Sequence, residues 1–238
     1  MTGTFLNVTA VLLGGTLGLL LGGRVPQRVR QTIVAGLGLF TASIGLKLFF
    51  ETQNSILVLG GLLIGGLLGE WCRIEDGLRN LGILLERRFT RGAEAATQGQ
   101  NSLFVKGFLT ASLLFCIGPM TILGSIQDGL TGDYELLAIK SVLDGFAAMA
   151  FAATLGAGVL FSALTVLVYQ GSLSLLAGQM QAIMTEAMIA EMTAAGGVLL
   201  LGIAISSLLE IKPIRVGNFL PALAIAPLLV ALLAALNR

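Results

Sequence analysis

The chain has 238 residues; 55% are apolar, 32 are Gly and only 11% are charged, with a mean hydropathy of +0.93. A soluble domain carries about 25% charged residues and cannot hide this much apolar surface, so the expected solvent is lipid. The absence of His excludes Ser-His-Asp triads, His-bound zinc and haem on a proximal His; two distant Cys (Cys72, Cys116) exclude a disulfide framework, and a net charge of +1 gives nucleic acid no electrostatic hold.

A bilayer core about 30 Å thick needs about 20 apolar residues per helix. Runs of that kind fall at residues 4–22, 32–50, 55–71, 103–124, 137–156, 159–178, 192–209 and 217–236. The expected fold is an all-α polytopic bundle of about eight spans forming one domain. The first run lacks a basic start, and G-G-R-V-P (22–26) reads as a turn, not a signal cleavage site. With both termini outside, eleven of the fourteen Lys and Arg fall on the cytoplasmic side, leaving Lys47, Lys140 and Arg238 outside. Glu51, Asp128, Asp133, Glu135, Glu186 and Glu191 are then expected in outer loops.

Residues 1–71 are read as a first repeat. Between it and the next span, 72–102 carry Ile74, Leu78, Leu81, Leu85 and Phe89 at helical spacing, with Arg79, Glu86 and Arg87 elsewhere. That pattern predicts an amphipathic helix over 72–91 lying on the cytoplasmic interface, followed by a small polar loop over 92–102.

Residues 103–156 form the central pair, spans four and five. Pro119 lacks a backbone donor and Gly118 weakens the same point, so span four should break there. Thr110, Ser125, Gln127 and Asp128 add oxygen ligands or an entry path around the break. Asp144 is the one acid well inside a predicted span, with Lys140 one turn before it. An intramembrane acid is costly and faces a cavity or a partner. The pair reads either as a mutual neutralisation or as an ion or proton site. Only Gly156, Ala157 and Gly158 part spans five and six, leaving a tight hairpin or one bent element. Residues 179–191 suggest a short outer interfacial helix.

Residues 157–238 are read as a second repeat. Residues 9–22 align with 165–178: Thr9 meets Thr165, Gly15 meets Gly171, and Gly22 meets Gly178. Spans one to three and six to eight would then run in opposite senses, the inverted repeat of many secondary transporters. Gly14/Gly18, Gly61/Gly65 and Gly65/Gly69 mark close helix packing, within the chain or in a homo-oligomer such as a dimer. Asn7 and Gln170 are read as lone polar residues able to bond across helices. Pro213, Pro221 and Pro227 make span eight a second irregular helix.

Six strings, among them Gly65–Trp71, Q-D-G-L-T-G-D-Y (127–134), K-S-V-L-D-G (140–145) and I-R-V-G-N-F-L-P-A-L (214–223), resemble the YqgA/YdfK-like family of uncharacterised bacterial inner-membrane proteins. The resemblance covers essentially the whole chain. It implies a bacterial plasma membrane and no established substrate, and it supplies no catalytic residues.

The function expected is a carrier or channel for a small ion or solute, lined by spans four and five, with no cofactor and no nucleic-acid partner. Asp144 would bind a cation or proton. The other readings are a structural subunit docking through 72–91, and an intramembrane aspartyl enzyme built on Asp128 and Asp144. No G-x-G-D string supports the last.

Overall fold

Lipid offers no partners to backbone amides, so an apolar chain must satisfy them within helices. The computed structural model describes residues 1–22, 26–89 and 102–236, and among them every regular element is helical. The expected turn at 22–26 and loop at 92–102, with Arg24, Arg91 and Arg238, lie wholly or mostly outside the described residues.

In chain order the helices are α1 (Thr2–Gly22), α2 (Gln27–Phe49), α3 (Ser55–Cys72), α4 (Ile74–Phe89), α5 (Leu103–Cys116), α6 (Pro119–Leu130), α7 (Glu135–Leu155), α8 (Gly158–Leu175), α9 (Ala177–Ile183), α10 (Glu186–Ile203) and α11 (Ala222–Leu236). A widened turn over Ala204–Leu208 extends α10, and a 3-10 turn over Val216–Phe219 precedes α11. Seven of these helices are long and apolar enough to cross a membrane, or eight spans if α5 and α6 count as one span bent by 62°. The exposed Leu20, Phe40, Leu67, Phe146, Val168 and Leu236 face outward, an exterior suited to lipid.

The break at 118–119 follows from residue chemistry. Gly118 takes φ +150, and Pro119 starts α6, where its missing N–H is not needed. Pro119 therefore opens a new helix rather than kinking an old one. The Phe115 carbonyl, left by the ladder, accepts from the Thr121 hydroxyl at 3.1 Å. Between α7 and α8, Gly156 at φ +87 and Ala157 make a tight hairpin, the first of the two expected alternatives.

Two expectations are corrected. The outer helix expected over 179–191 is instead the seven-residue α9 plus the start of α10, because the Thr185 hydroxyl caps Met188 N at 3.3 Å and opens a new helix. Glu191 therefore lies inside α10, 1% exposed, not in an outer loop. Its carboxylate accepts from Thr52 Oγ1 at 2.5 Å and from the amides of Gln53 and Asn54, each at 2.8 Å. Those amides precede α3, whose N-cap is Asn54. Glu191→Ala should cost about 1–3 kcal/mol by leaving such donors unpaired. A thermal melt in detergent checks this; an unshifted transition would mean water replaces the carboxylate.

The helix over 74–89 forms where expected, but its acids are not its wet face. Glu75 and Glu86 are buried. Glu75 Oε2 accepts from Gly217 N at 2.7 Å, at the 3-10 turn. Ser102 donates to Glu86 Oε2 at 3.0 Å and accepts from Val105 N at 3.1 Å, in the first turn of α5. Glu75 and Glu86 thus serve helix starts, where orphan N–H groups need acceptors.

The helices group into two compact units. One contains α1, α5, α6, α7 and α8. There α1 and α7 run parallel, with Gly14, Gly18 and Gly22 of α1 against Gly145, Met149 and Ala153 of α7. The other contains α3, α10 and α11. There Gly61 and Gly65 of α3 meet Ala226 and Ala222 of antiparallel α11, and Gly69 meets Asn218 in the 3-10 turn before it. In each unit a side chain at these glycines would strike backbone, so the small-residue rows are spent within the chain.

Candidate functional site

The unit containing α1 and α7 carries a cluster of polar side chains at its core. Register dictates which residues meet. Parallel packing of α1 on α7 brings Asn7 within hydrogen-bond reach of Asp144, whose side chain leans back toward the start of α7. Antiparallel packing of α1 on α8 places the same Asn7 beside Gln170.

Asn7 Nδ2 donates to Asp144 Oδ2 at 2.9 Å and to Gln170 Oε1 at 3.0 Å. Lys140 Nζ donates to the same Asp144 Oδ2, one helical turn away. The Lys140 ammonium also lies 6.0 Å from the centre of the Phe115 ring. All four polar residues are buried, Asn7 and Gln170 completely. Burial of a single charge among these helices would be prohibitive, and the pairing removes most of that cost. Two polar atoms stay unpartnered, Asn7 Oδ1 and Gln170 Nε2.

Asp128 occupies a separate place. Its Oδ2 accepts from Gly3 N at 3.1 Å, and its Oδ1 lies 3.0 Å from the Met1 nitrogen. It is 3% exposed, so it is not an open vestibule residue. Ser125 is buried and donates to the Thr121 carbonyl at 2.5 Å. Thr110 is buried with an unpartnered hydroxyl, while Gln127 is exposed. The sequence-derived set therefore divides. Lys140 and Asp144 pair directly, whereas Asp128 and Ser125 bond elsewhere, Thr110 has no partner and Gln127 faces outward. Nearby, Ser112 and Thr165 bridge α5 and α8 at 3.0 Å.

The residues undervalued by sequence reading are Asn7 and Gln170, each of which looks like a lone amide on a Leu-rich helix. The repeat alignment places Gln170 opposite Gly14, and that glycine row is what lets α1 approach. A signal existed, but only for someone pairing α1 with both α7 and α8.

A cavity of about 190 Å³ lies elsewhere in this unit, lined by Leu19, Arg30, Phe104, Ala152 and Thr154 among others. Its walls are mostly apolar, and none of the expected site residues lines it.

In the other unit, Glu70 accepts from Arg215 Nη1 and from Asn218 Nδ2, both at 2.6 Å, and Asn218 Oδ1 accepts from Glu75 N at 2.8 Å. This cluster closes the turn between α10 and α11. Among the described residues no group of three or more acidic, Cys or His side chains is placed to hold a metal ion.

Comparison with known proteins gives a consistent picture. The family model described as Protein of unknown function (DUF554) matches residues 2–231. The chain is 34% identical over 224 residues to the Uncharacterized protein YqgA of Escherichia coli (strain K12), covering 94% of each. It is 31% identical over 234 residues to the Uncharacterized membrane protein YdfK of Bacillus subtilis (strain 168), covering 97% of this chain and 96% of the relative. No solved structure matches it.

Proposed function

The chain belongs to the DUF554 family of proteins of unknown function, and we propose that it is a membrane transport protein for a small ion or small solute. One observation carries this reading: a Lys140–Asp144 pair held among Asn7 and Gln170 inside an apolar bundle. Ionisable residues at membrane depth are costly and mark ion or substrate paths. The pathway follows α7 and the bent α5–α6 segment, with α1 and α8 supplying the facing amides. The 62° bend supplies an interrupted span of the kind that lines transport sites. We take the protein as a non-enzymatic inner-membrane protein with both termini outside, on the distribution of Lys and Arg. Asp128 and Asp144 have different partners, which favours transport over a shared-proton aspartyl enzyme.

The test is flux into proteoliposomes under imposed gradients of H⁺, Na⁺, K⁺ and Cl⁻. Flux above empty vesicles is expected, falling at least about tenfold, or about 1.4 kcal/mol in barrier terms, in Asp144→Asn and Lys140→Ala. Flux unchanged in both variants, or absent with every ion, would sink the reading in favour of a structural subunit.

A further inference from the structure

This inference rests on the reading of Asp144 as the centre of a transport site, and it concerns what reaches that carboxylate. Four of the buried side-chain atoms without a partner are Thr4 Oγ1, Asn7 Oδ1, Gln170 Nε2 and Ser174 Oγ. All four residues are at least nine-tenths buried. They are not scattered. Thr4 and Asn7 are three apart on α1, and Gln170 and Ser174 are four apart on α8, so each pair shares a helix face.

The two faces meet. Asn7 bonds Gln170 at 3.0 Å, and a Cβ on Gly171 would lie 4.0 Å from Thr4 Cγ2. Because α1 and α8 are antiparallel, Thr4 lies near the level of Ser174, about 4.5–6 Å, or roughly one turn, from the Asn7–Gln170 level. Asp128 sits at the same end: its Oδ2 accepts from Gly3 N beside Thr4, and Gly129 packs on the Ser174 carbonyl. Polar groups thus run in order from Asp128, through Thr4 and Ser174, through Asn7 and Gln170, to Asp144.

A buried polar atom without a protein partner is where ordered water belongs. Here there are four in two adjacent layers, on two hydroxyls that both donate and accept, a carbonyl oxygen that accepts and an amide that donates. Such a row suits relay of a proton through water. It suits a metal ion poorly. Asp144 Oδ2 already receives two donors, Lys140 Nζ and Asn7 Nδ2, and hard cations want several converging oxygens. We propose that the α1–α8 seam, running from the buried Asp128 to the Asn7–Gln170 level, is a hydrated path that delivers protons to Asp144, and that H⁺ is the ion this site exchanges.

The charges around the carboxylate set the consequence of proton uptake. Lys140 lies on its own helix α7, and Asp128 lies on α6 at the far end of the seam. From α5 the buried Cys116 thiol is near enough to feel both Lys140 and Asp144. From α1 and α8 come the neutral Asn7 and Gln170. A proton added to the carboxylate turns the neutral Lys140–Asp144 pair into a site of charge +1 and removes the attraction that holds the ammonium.

The experiment uses the full chain in proteoliposomes, with Cys72→Ser and Cys116→Ala removing the native thiols. Thr4→Cys and Ser174→Cys are exposed to methanethiosulfonate ethylammonium; Thr9→Cys, on the exposed side of α1, is the lipid-facing control. Modification at 4 or 174 is expected to be about tenfold faster than at 9, because thiolate reaction needs water. Either position suffices, so one variant that fails to fold does not end the test. Equal or slower modification at both positions overturns the path. In the second arm a trapped pH dye follows an imposed pH gradient. Dissipation should slow in Thr4→Val/Ser174→Ala and stop in Asp144→Asn. Flux of Na⁺, K⁺ or Cl⁻ with no pH change overturns the proton assignment while leaving transport standing. Fast modification without flux of any ion instead supports the hydrated path and removes the transport reading.

Discussion

Gly18→Leu should destabilise the fold strongly. A side chain at position 18 has nowhere to go, because the Met149 carbonyl of α7 already occupies the space its Cβ would need. Backbone cannot rotate aside as a side chain can, so the helices must separate along the seam. Overpacking of this kind costs about 1–3 kcal/mol in ordinary cores, and a rigid backbone contact belongs at the top of that range. At about 2–4 °C per kcal/mol, the melting temperature should fall by roughly 6–12 °C, with aggregation in detergent. Gly36→Leu is the matched control: nothing lies within 4 Å of its Cβ position on α2, so its melt should follow wild type. Equal behaviour of the two variants would contradict the direct α1–α7 contact.

The second large effect concerns the buried charges. Asp144→Ala leaves the Lys140 ammonium, 8% exposed, without its counter-charge. Breaking one side of a buried pair costs about 3–5 kcal/mol, far more than the pair contributes when intact. Lys140→Met should cost a similar amount by orphaning Asp144, softened by the remaining Asn7 bond. The double variant Lys140→Met/Asp144→Leu should recover much of the loss, since neither charge then needs compensation. A double-mutant cycle by thermal melting measures this coupling. Additive losses would show that the two side chains do not meet in the folded protein. Stability recovered in the double variant without recovered flux would separate the structural part of the pair from its transport part.

Much of this could be read along the chain, and the reason is that lipid is a demanding solvent. The long helices follow from apolar runs, the interrupted span from Gly118 and Pro119, and the Lys140–Asp144 pair from the rarity of charge at that depth. Asn7 and Gln170 were visible but could not be ranked. Their importance depends on three helices meeting at one level, and that level is set by where glycines let backbones touch. Glu191 misled for a simpler reason. An acid near the end of an apolar run suggests a loop, yet the Thr185 cap starts α10 earlier and carries Glu191 inward to the amides that precede α3. Glu86 falls on the expected helix but on its buried side, and Glu75 is buried with it. Their acceptors serve distant helix starts, which helical periodicity alone does not report. The inverted repeat rests on the sequence alignment, and its test is flux and topology rather than helix count.

The α1–α7 seam also limits how this protein can move. A slide of one residue would shift α1 by about 1.5 Å and carry Gly18 off the Met149 carbonyl, bringing the bulk of Leu17 or Leu19 toward it. The two helices therefore travel as a single strut with Asn7 and Asp144 riding at fixed spacing. Gln170 is attached to that strut by one hydrogen bond, accepted from Asn7. A stroke that peels α8 from the strut would break that one hydrogen bond and leave Asn7 and Asp144 together.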